Sequence, residues 1–110
     1  MDIVKLTEIL TAAIVHSGES RRIVTGYCGD FLSFAMGRAP SDSAWFTVMS
    51  NVNVAAVALL ADVSVVVLCE DVKPDESLAA RCKKEGLNII CTPFSAYEAS
   101  VLLGKELEKE

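Results

Sequence analysis

Two hydrophobic periods run through this chain, and they divide it into alternating elements. From Val4 to Leu10, the apolar Leu6, Ile9 and Leu10 recur around Lys5 and Glu8, predicting a short amphipathic helix. Ala13-Ile14-Val15 is a short apolar run that either extends that helix or makes an edge strand. Ser17-Gly18-Glu19-Ser20 is a turn. Arg22 to Thr25 reads as strand, and Gly26 and Gly29 bracket Tyr27-Cys28 as a loop with permissive backbone. Asp30 is placed to cap a helix through Phe31, Leu32, Phe34 and Ala35, which Gly37 and Pro40 stop.

The second half has a clearer rhythm. Strands are predicted over Ala44–Met49, Ser64–Cys69 and Asn88–Cys91, and helices over Val52–Ala61, Pro74–Glu85 and Ser95–Glu108. Pro74 near a helix start, Asp75 and Glu76 in its first turn and Gly86 after its end agree with helix-terminus chemistry. The order is βαβαβα. Continuous apolar strands such as Val65-Val66-Val67-Leu68 are those of a parallel sheet covered on both faces. The expected fold class is therefore α/β, a three-layer sandwich with a mostly parallel sheet and right-handed crossovers. Val52–Ala61 leaves almost no polar face, and a helix apolar all round must be covered on all sides. This predicts a homodimer in which that helix, or the closing helix with Tyr97 and Val101, lies partly under a second copy.

The length, 110 residues, is that of one domain, taken as 1–110. A net charge of −5 opposes a grip on nucleic-acid phosphates and on anionic membranes, so neither is expected as a partner. Met1-Asp2-Ile3-Val4-Lys5 lacks a basic region followed by an apolar stretch, and the uncharged run Ser43–Ala61 is broken by Ser50, Asn51 and Asn53. A cytoplasmic location is expected.

Chemistry-bearing motifs are sparse. The cysteines, Cys28, Cys69, Cys82 and Cys91, form no CxxC pair, and His16 is the one imidazole, so neither a metal nor another cofactor is implied. Four reduced thiols, mostly buried, are expected, with Cys82 in the core. His16 is expected at the surface, without the base and orienting group that a cysteine nucleophile needs. Cys69 and Cys91 both end consecutive strands, which permits a redox pair or a two-thiolate metal contact; two unrelated buried thiols is the plainer reading. No GxxxxGK[ST] loop is present, and Gly26-Tyr27-Cys28-Gly29 is too short for a dinucleotide fingerprint. Glu70, Asp71, Asp75 and Glu76 cluster around one loop, as either a hard-cation site or a solvated turn.

Lys73-Pro74-Asp75-Glu76, Lys84-Glu85-Gly86-Leu87-Asn88-Ile89-Ile90 and Thr92-Pro93-Phe94-Ser95-Ala96-Tyr97-Glu98 together resemble the carboxyl-terminal half of a DRTGG domain, a pattern shared with the amino-terminal domain of HPr kinase/phosphorylase. Val24-Thr25-Gly26-Tyr27-Cys28-Gly29-Asp30-Phe31-Leu32-Ser33 resembles stand-alone DRTGG-like proteins of about this length. The resemblance implies the fold of that amino-terminal domain and a regulatory role. The Asp-Arg pair that names the family falls near Ser50-Asn51, and its Thr-Gly-Gly near Cys69-Glu70-Asp71; neither is kept. The kinase chemistry of the relatives resides in a separate domain with a phosphate-binding loop, which this chain lacks.

In open parallel sheets ligands settle beyond the carboxyl ends of the strands. Here those ends supply Ser50, Asn51 and Asn53, then Glu70 and Asp71, then Thr92 and Ser95. This set suits a small polar metabolite better than a bare phosphate. The expected function is a non-catalytic regulatory or ligand-binding module, sensing such a metabolite or mediating protein interaction. The alternatives are a small enzyme or redox protein using the loop cysteines, and a structural accessory subunit.

Overall fold

Four consecutive apolar residues, Val65 to Leu68, form the middle strand of a five-stranded sheet and are buried on both sides. The computed structural model describes all 110 residues. The elements in chain order are α1 (Ile3–Ile9), β1 (Ala13–His16), β2 (Thr25–Cys28), α2 (Leu32–Arg38), β3 (Ser43–Thr47), α3 (Asn53–Ala61), β4 (Val65–Leu68), α4 (Glu76–Glu85), β5 (Ile89–Cys91) and α5 (Ala96–Glu108). The sheet order is β1-β5-β4-β3-β2. β2, β3, β4 and β5 are mutually parallel, and β1 closes one side antiparallel to β5.

Side-chain alternation along the strands splits the interior into two cores. Trp45, Val66, Leu68, Ile89 and Cys91 face one layer, where they meet Ala35, Val54, Ala58, Leu78 and Cys82 of α2, α3 and α4. Ala44, Phe46, Val65, Val67 and Ile90 face the other, against Leu6 of α1 and Ala99 and Leu103 of α5. The result is a three-layer α/β sandwich with a mostly parallel sheet, as the strand and helix order predicts. Each large aliphatic or aromatic side chain buried in these layers contributes about 1.5–3 kcal/mol from apolar area removed from water.

The helix ends follow local chemistry. Ser95 and Glu98 form a reciprocal capping box at the start of α5. Gly86, with φ +71°, ends α4 in the left-handed region.

The structure corrects three local expectations. Tyr27-Cys28 is strand rather than loop, and β2 starts at Thr25 rather than Arg22. Gly26 is there for close approach: a Cβ would lie 3.1 Å from Leu103 Cδ2 and 3.2 Å from Phe46 Cε2. Asp30 does not cap α2. Its carboxylate accepts from Thr47 Oγ1 at 2.7 Å and from Val48 N at 2.8 Å, and Phe31 opens the helix instead. Gly37 stays within α2, which ends ahead of Pro40. Among the alternatives for residues 13–15, the edge strand is the one formed.

Candidate functional site

The seven residues expected to form a ligand site all lie in loops or first helical turns at the carboxyl edge of the sheet. Most of their polar side chains are already engaged, closing turns and caps or linking loops. Ser50 Oγ donates to Asp75 Oδ1 at 3.3 Å, and Asp75 N donates to Ser50 O at 2.9 Å. Asn51 Oδ1 accepts from Asn53 N at 2.9 Å, closing the turn into α3. Thr92 is buried; its hydroxyl donates to Leu10 O at 2.6 Å and accepts from Phe94 N at 3.2 Å. Ser95 is committed to its cap.

Glu70 and Asp71 are the central pair of a tight turn, with φ +60° and +59°, closed by Val72 N donating to Cys69 O at 3.1 Å. Two successive positive φ values define the primed turn that glycine adopts without steric cost. Here an acidic pair adopts that conformation. Glu70 N donates to Phe94 O at 2.9 Å and Asp71 N to Thr92 O at 3.0 Å, which stitches the turn to the loop ahead of α5.

Of the seven, Asn53, Glu70 and Asp71 are exposed and Asn51 is half-buried, its amide nitrogen left without a partner in the turn. The rim is a shallow, acidic surface; the four cavities of the molecule are lined by residues elsewhere. Glu70, Asp71, Asp75 and Glu76 do not converge on one point: Asp71 lies 3.9 Å from Lys73, and Asp75 is engaged with Ser50.

Cys69 and Cys91 do not pair. Leu68 is opposite Cys91 in the parallel register, so Cys69 is one residue out of phase. Cys69 packs in the α1–α5 layer and Cys91 in the opposite one. Burial pushes the Cys69 thiol up to about 12 and Cys82 up to about 11, and raises Cys91 as well. Cys28 is exposed, beside Ser100; its thiol too is raised, chiefly by desolvation. None of these environments favours a thiolate. His16 is half-buried rather than fully at the surface, and its Nδ1 donates to Leu87 O at 2.8 Å.

At the amino edge of the sheet lies a polar knot that sequence reading did not anticipate. Arg21 contacts Asp42 Oδ1 at 2.8 Å and Asp62 Oδ1 at 3.1 Å, and also donates to Asp62 O at 3.0 Å. The hydrogen bond to Asp42 raises the Arg21 guanidinium above its ordinary value, against the opposing effect of burial. Asn88 is nearly buried and fully used: Nδ2 donates to Glu19 O and Ser64 O, and Oδ1 accepts from Gly18 N at 2.7 Å. A cavity of about 150 Å³ lies beside it, lined among others by Glu19, Arg21, Asp62 and Glu85. The partners are far apart in sequence and follow no helical or strand period, so the only local signal was a polar residue just before a strand.

No family model matches the chain, and no curated protein matches it in sequence. In structure it is similar to the CBS and DRTGG domains of the regulatory region of a Clostridium perfringens pyrophosphatase, crystallised with its activator diadenosine tetraphosphate. The TM-score is 0.77 at 15% sequence identity, over 92% of this chain and 45% of that one. This chain therefore spans less than half the length of that regulatory-region chain, and the likeness is one of fold. No helix is long and apolar enough to cross a membrane.

Proposed function

We propose that this chain is a regulatory module without a catalytic centre of its own, acting through contacts at its surface. The observation that carries this reading is how its groups are spent. The polar side chains at the carboxyl edge mostly close turns and caps, and the thiols are held protonated, while Phe31, Phe34, Leu60 and Tyr97 stand exposed. Nucleophilic catalysis needs the reverse, an activated nucleophile with a base in reach. Exposed aromatic groups on a small domain suit recognition of another surface. The fold shared with part of a pyrophosphatase regulatory region supports regulation as the role.

A second reading places a small ligand on the carboxyl rim formed by Ser50, Asn51, Asn53, Glu70, Asp71, Thr92 and Ser95. The observation favouring it is the convergence of three loops there with free amide and carboxylate groups. Glu70 and Asp71 make the rim unfavourable for an uncompensated polyphosphate, so the ligand is a neutral or cationic polar molecule.

Thermal-shift measurement with amino acids, nucleosides, polyamines and dinucleoside polyphosphates, each with and without Mg²⁺, tests the rim. The expected result is a shift from a neutral or cationic compound that is lost in Asn51→Ala and Glu70→Ala. A shift that survives both substitutions places the ligand elsewhere. A turnover that survives repurification and is abolished by one substitution would overturn the non-catalytic reading.

A further inference from the structure

The two edges of the sheet are built differently. β1 is bulged between Ile14 and His16 where it pairs with β5, a device that discourages further pairing. β2 is the opposite edge, and its pairing with β3 runs in unbroken register from Thr25 to Cys28. Thr25-Gly26-Tyr27-Cys28 contains no lysine, proline or bulge, the features that normally protect an open edge. Alongside it runs a groove of about 190 Å³, lined by Thr25, Gly26 and Cys28 of the strand and by Ser100, Gly104 and Leu107 of α5. A Cβ placed on Gly104 would meet nothing within 4 Å, so this flank of α5 is open. Tyr97 and Val101 continue the same helical side and are both exposed, Tyr97 at 78%.

Resting on the reading of this chain as a surface-acting regulatory module, we propose that the β2 edge and the adjoining side of α5 are where a second copy of the chain docks, β2 running antiparallel to β2 of its partner and joining the two sheets into one. Charge identifies the occupant. Each copy carries −5, so copies repel over most of their surface. Thr25 to Gly29 together with Ser100, Val101 and Gly104 bears no charged side chain, which makes it a strip that can meet itself. An antiparallel strand pair is also self-complementary under a twofold axis, as an isologous dimer requires. Four paired residues alone bury too little, since a stable interface covers about 800 Å² on each partner. The second copy's α5 supplies the remainder, because the twofold that pairs the strands also brings the two α5 helices side by side.

The test uses the full chain in sedimentation equilibrium between about 1 and about 200 μM, a span that resolves micromolar self-association. Wild type is expected to dimerise, with amides of Thr25–Cys28 gaining hydrogen-exchange protection as concentration rises. Gly104→Lys and Tyr97→Lys should each weaken the dimer at least tenfold. Gly104→Lys exchanges a helix-interior glycine with open space around it for a better helix former, so the monomer's melting temperature should hold or rise and misfolding is separated from dissociation. A chain that stays monomeric throughout overturns the second copy as occupant while leaving the regulatory reading to a different partner. A dimer indifferent to both substitutions but dissociated by Leu60→Glu moves the interface to α3 and also overturns the proposal.

Discussion

Asp30, just beyond β2, holds the hydroxyl of Thr47, at the end of β3, at 2.7 Å, and the same oxygen takes the Val48 amide at 2.8 Å. One carboxylate thereby fastens the carboxyl ends of two neighbouring strands. Thr47 is buried, so removing its acceptor leaves a desolvated donor unpaired. Asp30→Ala should destabilise the chain by about 1–3 kcal/mol in urea unfolding. Asp30→Asn, which keeps an amide oxygen as acceptor, should recover at least half of that loss. Equal losses in the two variants would show that charge, not the acceptor, is what the position requires.

Glu70 and Asp71 both occupy the left-handed region, where a Cβ crowds the following carbonyl. Glu70→Gly and Asp71→Gly should each stabilise by about 0.5–1 kcal/mol, relief of strain outweighing the added freedom of the unfolded chain. Thermal melting measures this directly. Destabilisation by either substitution would show that the acidic side chains supply contacts exceeding the strain.

Ser43 at the head of β3 presents a fully buried hydroxyl with no hydrogen-bond partner. A buried polar group without a partner costs about 1–3 kcal/mol. Ser43→Ala should therefore be neutral or stabilising, despite lying in the core. A loss above about 1 kcal/mol in urea unfolding would reveal a bond from this hydroxyl, since deletion of an unpaired group carries no such penalty.

The sheet and its helices were legible because their signals are local. Val65–Leu68 announces a strand covered on both faces, and Pro74, Gly86 and the Ser95–Glu98 pair mark helix ends. β2 was misplaced because Gly26 reads as a loop residue, whereas it is required by Leu103 and Phe46, which lie 77 and 20 positions further along. Asp30 has the chemistry of a helix cap, but its stronger partners come from another strand. The position of the seven rim residues at one edge followed from the βα order; their bonds to distant parts of the chain, such as Thr92 to Leu10 across 82 residues, carry no local pattern. Proximity of Cys69 and Cys91 along adjacent strand ends was readable, but not the one-residue phase difference that sends them to opposite layers.

The buried thiols make stability depend on alkaline pH. Folded, Cys82 is pushed up to about 11 and Cys69 up to about 12 by burial. Unfolded, each ionises at about 8.5. Above that value the unfolded chain has released protons that the folded chain still holds, so stability falls as pH rises. The contribution is whole below about pH 8.5 and is lost progressively up to the folded values, at up to about 1.4 kcal/mol per pH unit for each thiol. Tyrosines and lysines titrate in the same range, so the informative quantity is the difference between wild type and the Cys69→Ala/Cys82→Ala variant. The variant should show the shallower decline between pH 9 and pH 11 in urea unfolding, about the ordinary to the raised thiol range. Parallel declines would mean that the two thiols ionise in the folded chain as readily as in the unfolded one.

The Asn88 side chain makes three hydrogen bonds, and its loss should be felt at three places. Its Nδ2 donates to Glu19 O at 2.7 Å and to Ser64 O at 3.0 Å, and its Oδ1 accepts from Gly18 N at 2.7 Å. It thus fastens the 17–20 turn and the start of β4 to the start of β5. Gly18 is pinned from a second side: a Cβ there would lie 1.8 Å from Gly86 O, which is backbone and cannot swing away. Asn88→Leu fills similar space but orphans three backbone groups, and should cost about 2–4 kcal/mol, since buried unpaired groups lose their full desolvation energy. Asn88→Asp keeps an acceptor for Gly18 but places a carboxylate against two carbonyl oxygens, and should be no better. Gly18→Ala should cost a similar amount by forcing the turn away from α4, and hydrogen exchange should then show faster opening of residues 17–20 and 86–88 than of β3 and β4. If Asn88→Leu lost less than about 1 kcal/mol, the three bonds would have found replacements in water, and the amino edge would be open to solvent rather than closed by this side chain.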